Sequence, residues 1–293
     1  MKRNKLGCWI EAMRLRTLPV SLAGVILAVG LAVYAHTFKA VPVALCFGFA
    51  FLAQIASNFA NEYFDFRDGL DKPGREGPRR GVTEGDLTPK SMLRATLITL
   101  GVACAIGCGL IYYGGWWLLP AGIIIALGAM AYSAGPYPLS RHGLGEVAVV
   151  CFFGLIPVTL TYYVQSGEMP GFVVMSGLSA GLMGANVLIV NNYRDREADA
   201  AVGKRTLAVM LGSGAMRLLY LLNGLVAVAV MMPLWIKLPG WAMAVPVIYL
   251  ALHLAIRFVM PHRKGHALTP LLAMTSLLML FYSVGFAIGA ACC

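Results

Sequence analysis

Charged side chains are scarce in this sequence of 293 residues: Asp, Glu, Lys and Arg make up 12% of it, and the mean hydropathy is +0.76. Soluble domains carry about 25% charged residues. The composition therefore excludes an ordinary soluble enzyme and a disordered chain. It also excludes a nucleic-acid-binding protein, although the formal net charge is +10. In so apolar a chain, a basic excess is typical of loops that face an anionic membrane surface.

Histidine and cysteine also lack the spacing of metal ligands. The 5 histidines include His262 and His266, which have no partner at ligand spacing. The 7 cysteines form an odd set, and those in apolar runs behave as small hydrophobic residues. Cys104 and Cys108 are one helical turn apart, but no histidine or acid accompanies them. These patterns argue against a zinc-type site.

Long apolar runs dominate instead, and hydrophobic residues make up 59% of the chain. A helix that spans a bilayer needs about 20 predominantly apolar residues. Nine runs approach this length, at 18–36, 40–60, 92–113, 115–134, 145–165, 170–192, 218–236, 239–259 and 267–290. The sequence therefore predicts an all-α integral membrane protein with nine transmembrane helices. It predicts a single membrane domain over 1–293, with a cytoplasmic N-terminal segment at 1–17.

The distribution of charge predicts the orientation of these helices. If all nine runs span the membrane, every Lys and Arg except Lys39 and Lys237 falls on one side. Basic residues concentrate on the cytoplasmic side of membrane proteins, so the N-terminus is predicted inside and the C-terminus outside. All acidic residues except Glu168 fall on that same side, which solvated basic loops alone do not require.

Two acidic segments, at the ends of the second and sixth runs, contain the same pattern, Asn-x-Tyr-x-Asp. The pattern occupies 61–65 and 191–195, within acidic loops predicted at about 61–90 and 191–206. Because it recurs at equivalent helix ends, it predicts an internal repeat. The predicted architecture is two four-helix halves plus one helix.

Helical spacing places the polar residues of each segment on one helix face. The two sets are Asn58, Asn61 and Asp65, spaced i, i+3, i+7, and Asn191, Asp195 and Asp199, spaced i, i+4, i+8. Carboxylates stacked on one face repel one another, which favours a bound cation there. Oxygen ligands at helix ends suit Mg²⁺, which keeps several waters and bridges carboxylates to phosphate.

Glycines and paired cations follow each acidic segment, as Gly-Pro-Arg-Arg-Gly at 77–81 and Gly-Lys-Arg at 203–205. Carboxylates, glycines and cations together predict a metal-bound diphosphate, with Lys and Arg on the remaining oxygens. The alternative is a pair of solvated cytoplasmic loops, but the repeat of Asn and Asp in register favours the diphosphate site. Arg14 and Arg16 fit topology anchors as well as phosphate ligands. Tyr132 fits an interfacial residue as well as a substrate contact.

Four stretches, at 14–19, 58–71 with 77–81, 133–136 and 191–207, carry a resemblance to a known family. They resemble the UbiA-type membrane prenyltransferases, and among these the branch that prenylates 1,4-dihydroxy-2-naphthoate in menaquinone biosynthesis. The resemblance runs from about residue 10 to the end of the chain. It implies nine helices around a central cavity, with two Asp-rich motifs on the cytoplasmic side of helices two and six.

The resemblance also implies roles for single residues. The implied catalytic carboxylates are Asp65, Asp71, Asp195 and Asp199, and the metal ligands are these four with Asn61 and, from the helical spacing, Asn191. The implied diphosphate-binding cations are Arg16, Lys72, Arg79, Arg80, Lys204 and Arg205, and Tyr132 is the candidate for acceptor binding. Glu62 stands where the family usually has Asp, so its expected contribution is charge rather than metal ligation. Asp68 is an additional acid that the family does not require.

The implied reaction is Mg²⁺-dependent transfer of a polyprenyl group from polyprenyl diphosphate to 1,4-dihydroxy-2-naphthoate, with decarboxylation, giving demethylmenaquinone. The expected location is the cell membrane (inner or plasma membrane), with the active site on the cytoplasmic side. Three alternatives remain open at this point. They are prenylation of another aromatic acceptor such as 4-hydroxybenzoate or homogentisate, a secondary transporter with its acids near the bilayer midplane, and a non-catalytic membrane assembly factor.

Overall fold

A computed structural model describes residues 4–71 and 79–293, without the side chain of Arg16. Helices and connecting turns account for these residues, and no strand occurs among them. The α-helices are α1 (Lys5–Met13), α2 (Leu18–Tyr34), α3 (Ala40–Arg67), α4 (Pro89–Gly114), α5 (Leu118–Ala131), α6 (Gly145–Val149), α7 (Ile156–Ser166), α8 (Gly171–Ala201), α9 (Leu207–Trp235), α10 (Ala244–Val259) and α11 (Thr269–Ala291). The predicted all-α class is confirmed for the described part of the chain.

Fewer than nine helices of the described chain meet both the length and the composition of a membrane span. Seven helical segments of the described chain are long and apolar enough to cross a membrane: Ala40–Arg67, Pro89–Gly114, Gly145–Ser166, Gly171–Ala201, Leu207–Trp235, Gly240–His262 and Gly265–Ala291. α1 and α2 form a pair bent by 50° that adds an eighth if it counts as one span. α5 has 14 residues, about 21 Å at 1.5 Å per residue, against about 30 Å of hydrocarbon. The chain is a multi-pass membrane protein, and nine spans with N-in/C-out orientation stay predictions.

The connection from α8 to α9 is set by local sequence signals. Gly203 has a φ of +76°, a left-handed conformation that suits glycine because it has no Cβ. Thr206 then caps α9 by accepting a hydrogen bond from the backbone N–H of Val209. This short turn holds Lys204 next to the end of α8.

α11, the helix left over in the predicted repeat, packs along α2 and against α8. The contact with α2 is close, because a Cβ on Gly30 would lie 2.8 Å from the Cα of Ala287. Small residues at helix contacts let two backbones approach and gain packing energy in a membrane. The last helix therefore closes the bundle onto the first membrane helix.

α6 and α7 are joined by a π-helical segment, Val150–Leu155, into one continuous helical segment. Within it, Gly154 lies backbone to backbone against Gly181 of α8. Phe152 and Phe153 of the same segment line a cavity. Short π-helical segments inside α-helices are frequent at functional sites.

The cavity has a volume of about 570 Å³ and lies between α2, α3, α4, α5, α7 and α8. Most of its wall is apolar, with side chains such as Phe49, Ile123 and Phe152. Its polar end lies where α3 and α8 end. The expected central cavity is therefore present among these helices, and it joins a hydrophobic chamber to the two acidic segments.

Candidate active site

The acidic ends of α3 and α8 meet at the polar end of the cavity. Lys204 Nζ lies 3.1 Å from Asp65 Oδ2, on α3, and 3.9 Å from Asp199 Oδ1, on α8. Because one ammonium group reaches both carboxylates, the two helix ends are close enough to act on one ligand. The structure thus brings the two acidic segments together.

Asn61 organises the α3 side of the site. Its Oδ1 accepts hydrogen bonds from Arg14 Nη2 at 2.6 Å and from Arg80 Nη2 at 3.0 Å. Its Nδ2 donates to Asp65 Oδ2 at 3.3 Å and to Ser133 Oγ at 3.1 Å. One amide therefore holds two guanidinium groups and one carboxylate in place.

Asp65 is 1% exposed, and cations surround its carboxylate. Arg141 Nη2 lies 3.2 Å from Oδ1, Lys204 Nζ 3.1 Å from Oδ2, and Arg80 Nη2 4.0 Å from Oδ2. A buried carboxylate is costly unless it is paired. These three contacts explain how the acid is tolerated away from water.

The loop at 79–87 carries a buried cation into the site. Arg80 is 5% exposed, and its Nε lies 3.1 Å from Asp71 Oδ2. The loop is anchored to α3 because Glu62 Oε1 accepts a hydrogen bond from the backbone N–H of Val82 at 3.0 Å. The structure therefore places Glu62 as the support of the loop that carries Arg80.

On α8, Asp195 is paired with its neighbour Arg194. The guanidinium donates through Nε to Oδ1 at 2.7 Å and through Nη2 to Oδ2 at 2.9 Å. Nη2 also donates to Asn191 Oδ1 at 2.8 Å. All three residues line the cavity, so this helix end presents a two-bonded ion pair, a geometry that arginine favours.

The loop between α5 and α6 lies beside this end of α3. Arg141 Nη1 donates to Asp68 Oδ2 at 2.6 Å, and its Nη2 donates to the carbonyl oxygen of Ser133 at 3.1 Å. Hydrogen bonds from Arg67 and Arg141 lower the pKa of Asp68, so this carboxylate is charged at neutral pH. Tyr132 also lines the cavity.

Comparison with protein-family models matches residues 18–284 to the UbiA prenyltransferase family. The chain belongs to this family. A relative from Haemophilus influenzae, named 1,4-dihydroxy-2-naphthoate octaprenyltransferase, is 32% identical over 99% of this chain and 97% of its own length. One of the same name from Mycobacterium tuberculosis is 34% identical over 95% of both chains. The predicted resemblance to the naphthoate branch is confirmed.

Solved structures of UbiA homologs share the fold. The homolog from Archaeoglobus fulgidus, described as bound to DMAPP and Mg²⁺, superposes with a TM-score of 0.68 at 14% identity and covers 96% of this chain and 99% of its own. The homolog from Aeropyrum pernix K1 gives 0.69 at 14% identity, with coverage of 92% and 96%. Family membership confirms the prediction of an enzyme, an aromatic prenyltransferase, over a transporter or an assembly factor.

Most residues predicted from the UbiA motifs gather at one place. Eight of them line the cavity: Asn61, Asp65, Arg80, Tyr132, Asn191, Asp195, Asp199 and Lys204. Asp71 lies just outside this lining, against Arg80. Their roles in the reaction stay predictions.

Other predicted cations lie elsewhere. Arg79 is paired with loop acids, at 2.8 Å from Asp86 and 3.5 Å from Glu84, and its side chain is 40% exposed. Arg205 is exposed. Neither is among the described residues that line the cavity. Lys72 and the side chain of Arg16 lie outside the described part of the chain.

Three arginines join the site without having been assigned a place in it from the sequence. Arg14, which the sequence left open as a topology anchor or a phosphate ligand, contacts Asn61, while Arg141 and Arg194 contact Asp65 and Asp195. For Arg194 a signal was present, because it directly precedes the motif Asp195. Arg14 lies in the stretch 14–19 that carries the family resemblance, but its contact with Asn61 could not be predicted from it. For Arg141 no local pattern was available, since it reaches the site from another part of the chain.

The donor set of this UbiA site fits a metal ion that arrives with phosphate. Within the described residues, 4–71 and 79–293, no group of three His, Cys, Asp or Glu side chains is arranged to hold a metal ion. Mg²⁺ is usually bound by one or two carboxylates with waters and substrate phosphates rather than by a protein cage. Carboxylates on two helix ends, with cations beside them, match that mode of binding.

Proposed function

We propose that this UbiA-family enzyme transfers a polyprenyl group from polyprenyl diphosphate to 1,4-dihydroxy-2-naphthoate in a Mg²⁺-dependent reaction with loss of CO₂. The product is demethylmenaquinone in its quinol form. The observation that carries the proposal is the cluster of buried cations and carboxylates at the polar end of an apolar cavity. The names of the relatives from Haemophilus influenzae and Mycobacterium tuberculosis support the acceptor.

The diphosphate group binds at the polar end, against Arg14, Arg80 and Lys204, all of which line the cavity. Guanidinium groups match phosphate oxygens with two parallel hydrogen bonds, and lysine adds a point charge. The prenyl chain occupies the apolar part of the cavity. Removing it from water there is favourable by a free energy of about 25 cal/mol per Å² of buried apolar surface. The same proposed set includes four further cations that add positive charge near the diphosphate: Arg16, Lys72, Arg79 and Arg205.

Mg²⁺ is held in this proposal by Asp65, Asp195 and Asp199, with Asn61, Asn191 and Asp71 completing the set. The ion supplies positive charge to the departing diphosphate when it is bound. The structure of an archaeal homolog of the same fold, described as bound to DMAPP and Mg²⁺, supports this choice. The carboxylates also keep Lys204 at the place where the negative charge develops.

The chemical step breaks the bond between C1 of the prenyl group and the diphosphate oxygen, and the electron pair leaves with the diphosphate. Lys204 and Arg80 stabilise that charge, which is the main contribution expected of preorganised cations. The electron-rich ring attacks C1 to form the new carbon–carbon bond. The ring carboxylate then leaves as CO₂, and its bonding electrons return to the ring. Aromatic side chains of the cavity wall, such as Phe152, stabilise the allylic cation with their π faces.

The reaction takes place on the cytoplasmic side of the cell membrane. This location follows from the predicted orientation, in which nearly all basic residues lie inside. A prenyl diphosphate in the inner leaflet then reaches the cavity with its headgroup toward the cytoplasm.

The acceptor and the metal are tested together with purified enzyme. Prenyl diphosphate is supplied with 1,4-dihydroxy-2-naphthoate, 4-hydroxybenzoate or homogentisate, and products are identified by mass spectrometry. We expect prenylated product and CO₂ from the naphthoate. EDTA should abolish turnover, and added Mg²⁺ should restore it. Product from 4-hydroxybenzoate or homogentisate alone would assign the other acceptor, and cells lacking the protein would then retain their naphthoquinones.

A further inference from the structure

A polar pair outside the diphosphate machinery lies on the wall of the cavity. Asn192 of α8 is buried, lines the cavity, and donates a hydrogen bond from Nδ2 to Glu146 Oε1 of α6 at 2.9 Å. Asn192 precedes Asp195 by three residues, so the two are neighbours on the helix surface, about 4.5 Å apart along the axis. Glu146 is 6% exposed and lies behind Asn192, outside the residues that line the cavity.

The contact determines which amide atom Asn192 presents to the cavity. In the structure the NH₂ group of Asn192 is turned toward Glu146, and Oε1 accepts its hydrogen bond. One N–H of the Asn192 amide is therefore donated to Glu146, which turns Oδ1 away from that contact. We infer that Oδ1, the acceptor of the amide, is offered to the cavity that Asn192 lines.

The same corner of the cavity contains Tyr132. A Cβ on Gly145, the residue before Glu146, would lie 3.7 Å from Tyr132 Oη and 3.1 Å from Leu188 of α8. The start of α6 is therefore packed tightly between Tyr132 and α8. Glu146 has little freedom to move, which is required of a residue that orients a neighbour.

We propose that Asn192 Oδ1 accepts a hydrogen bond from a ring hydroxyl of the aromatic acceptor, and that Glu146 is the positioning residue that keeps Asn192 in this orientation. The inference rests on the proposed function and names the group of the acceptor that the site recognises. A hydroxyl held at Asn192 places the ring about one helical turn from Asp195.

The Glu146→Gln variant tests the positioning role. A glutamine side chain offers either an oxygen or an NH₂ group, so it no longer selects one orientation of the Asn192 amide. We expect the KM for the aromatic acceptor to rise about tenfold, the loss of roughly one hydrogen bond, while kcat and the KM for prenyl diphosphate stay within about twofold. Glu146→Asp keeps a group that only accepts and should retain most of the acceptor affinity. Glu168→Gln, at an exposed position, is the matched control and should behave as wild type.

The acceptor's hydroxyl is tested with the two mono-O-methyl ethers of 1,4-dihydroxy-2-naphthoate as competitive inhibitors. An ether oxygen cannot donate to Asn192 Oδ1. In the wild type, we expect the inhibition constant of one ether to be about tenfold higher than the KM for unmethylated 1,4-dihydroxy-2-naphthoate. We expect this difference to disappear in Glu146→Gln. Such non-additivity is the signature of two groups that act on the same hydrogen bond.

The outcomes separate this inference from the proposed function. If the inhibition constants of both ethers in the wild type equal the KM for 1,4-dihydroxy-2-naphthoate, the inference is overturned without any variant. An unchanged acceptor KM in Glu146→Gln, or equal losses for both substrates, also overturns it and leaves prenyl transfer standing. Failure of the wild-type enzyme to prenylate any hydroxylated aromatic acid overturns the proposed function and this inference with it.

Discussion

Single charges at the polar end of the cavity compensate one another closely. Four cations and three carboxylates of the described chain line it: Arg14, Arg80, Arg194 and Lys204 against Asp65, Asp195 and Asp199. A buried charge without a partner costs several kcal/mol, so each residue depends on its counterpart. On the proposed function, a diphosphate with a divalent metal would enter this site as a nearly balanced exchange of partners.

Asp195 offers a sharp test of this balance. In Asp195→Asn the amide oxygen still accepts from Arg194, so the fold should survive, but one negative charge of the proposed metal site is lost. We expect kcat for prenyl transfer to fall by about 10²–10³-fold, the range for removing one electrostatic group from an active site. Turnover with purified enzyme, together with its elution from size-exclusion chromatography in detergent, measures both properties.

The control for Asp195 is Glu197→Gln on the same helix. Glu197 is 90% exposed, and its charge is screened by solvent. This variant should keep wild-type turnover. Near-normal activity in Asp195→Asn would reject the metal-site assignment.

We expect Glu62 to contribute to stability, because it anchors the loop that carries Arg80 to α3. In Glu62→Leu the backbone N–H of Val82 loses its acceptor, and an unpaired buried donor costs about 1–3 kcal/mol. Thermal unfolding in detergent should therefore show a lower Tm. Glu62→Gln retains an acceptor oxygen and should lose less, so equal Tm values for Leu and wild type would contradict this role.

At the scale of secondary structure, glycine contacts determine how closely the elements around the cavity approach. A Cβ on Gly154 would overlap the backbone of Gly181, and one on Gly181 would lie 2.6 Å from the carbonyl oxygen of Val150. The π-helical segment and α8 therefore touch through their backbones. This contact positions Phe152 and Phe153 at the cavity wall.

Gly154→Ala should destabilise the protein by about 1–3 kcal/mol, because overpacking forces one backbone away from the other. Thermal unfolding in detergent measures the effect. Gly101→Ala is the matched control, since nothing lies within 4 Å of a Cβ at that helical position of α4. The control should be neutral or slightly more stable, because alanine favours helix over glycine by about 1 kcal/mol. The same decrease in both variants would refute the contact.

Across the whole molecule, the two acidic helix ends require a common membrane face. The lysine that joins Asp65 to Asp199 places both ends on the same side of the bundle. If the total number of spans is odd, as predicted, the two termini lie on opposite sides of the membrane. The terminal cysteines provide a way to measure this.

Cys292 and Cys293 are exposed, and the predicted N-in/C-out orientation places them outside. A membrane-impermeant maleimide should label them in intact cells or spheroplasts. A variant with both cysteines changed to serine should lose this labelling, which controls for the other cysteines. Labelling that requires lysis would place the C-terminus inside and contradict the predicted N-in/C-out orientation.

Local patterns in the sequence were sufficient for the membrane class, the two acidic helix faces and most of the residues at the site. Apolar length reports the membrane environment directly, and the 3.6-residue period tells which residues share a helix face. The acids at 61–65 and 191–199 could therefore be placed on surfaces before any packing was known. The same patterns overestimated the length of α5, because an apolar run does not reveal where its helix ends.

Tertiary structure alone decided which cations reach those acids and how the cavity wall is oriented. Arg14 pairs with a residue 47 positions away, and Arg141 with one 76 positions away. Neither pairing leaves a periodic signal, because it depends on turns such as the left-handed one at Arg14. Asn192 is similar: its position on α8 follows from helical spacing, but which of its amide atoms faces the cavity depends on Glu146, a residue of another helix.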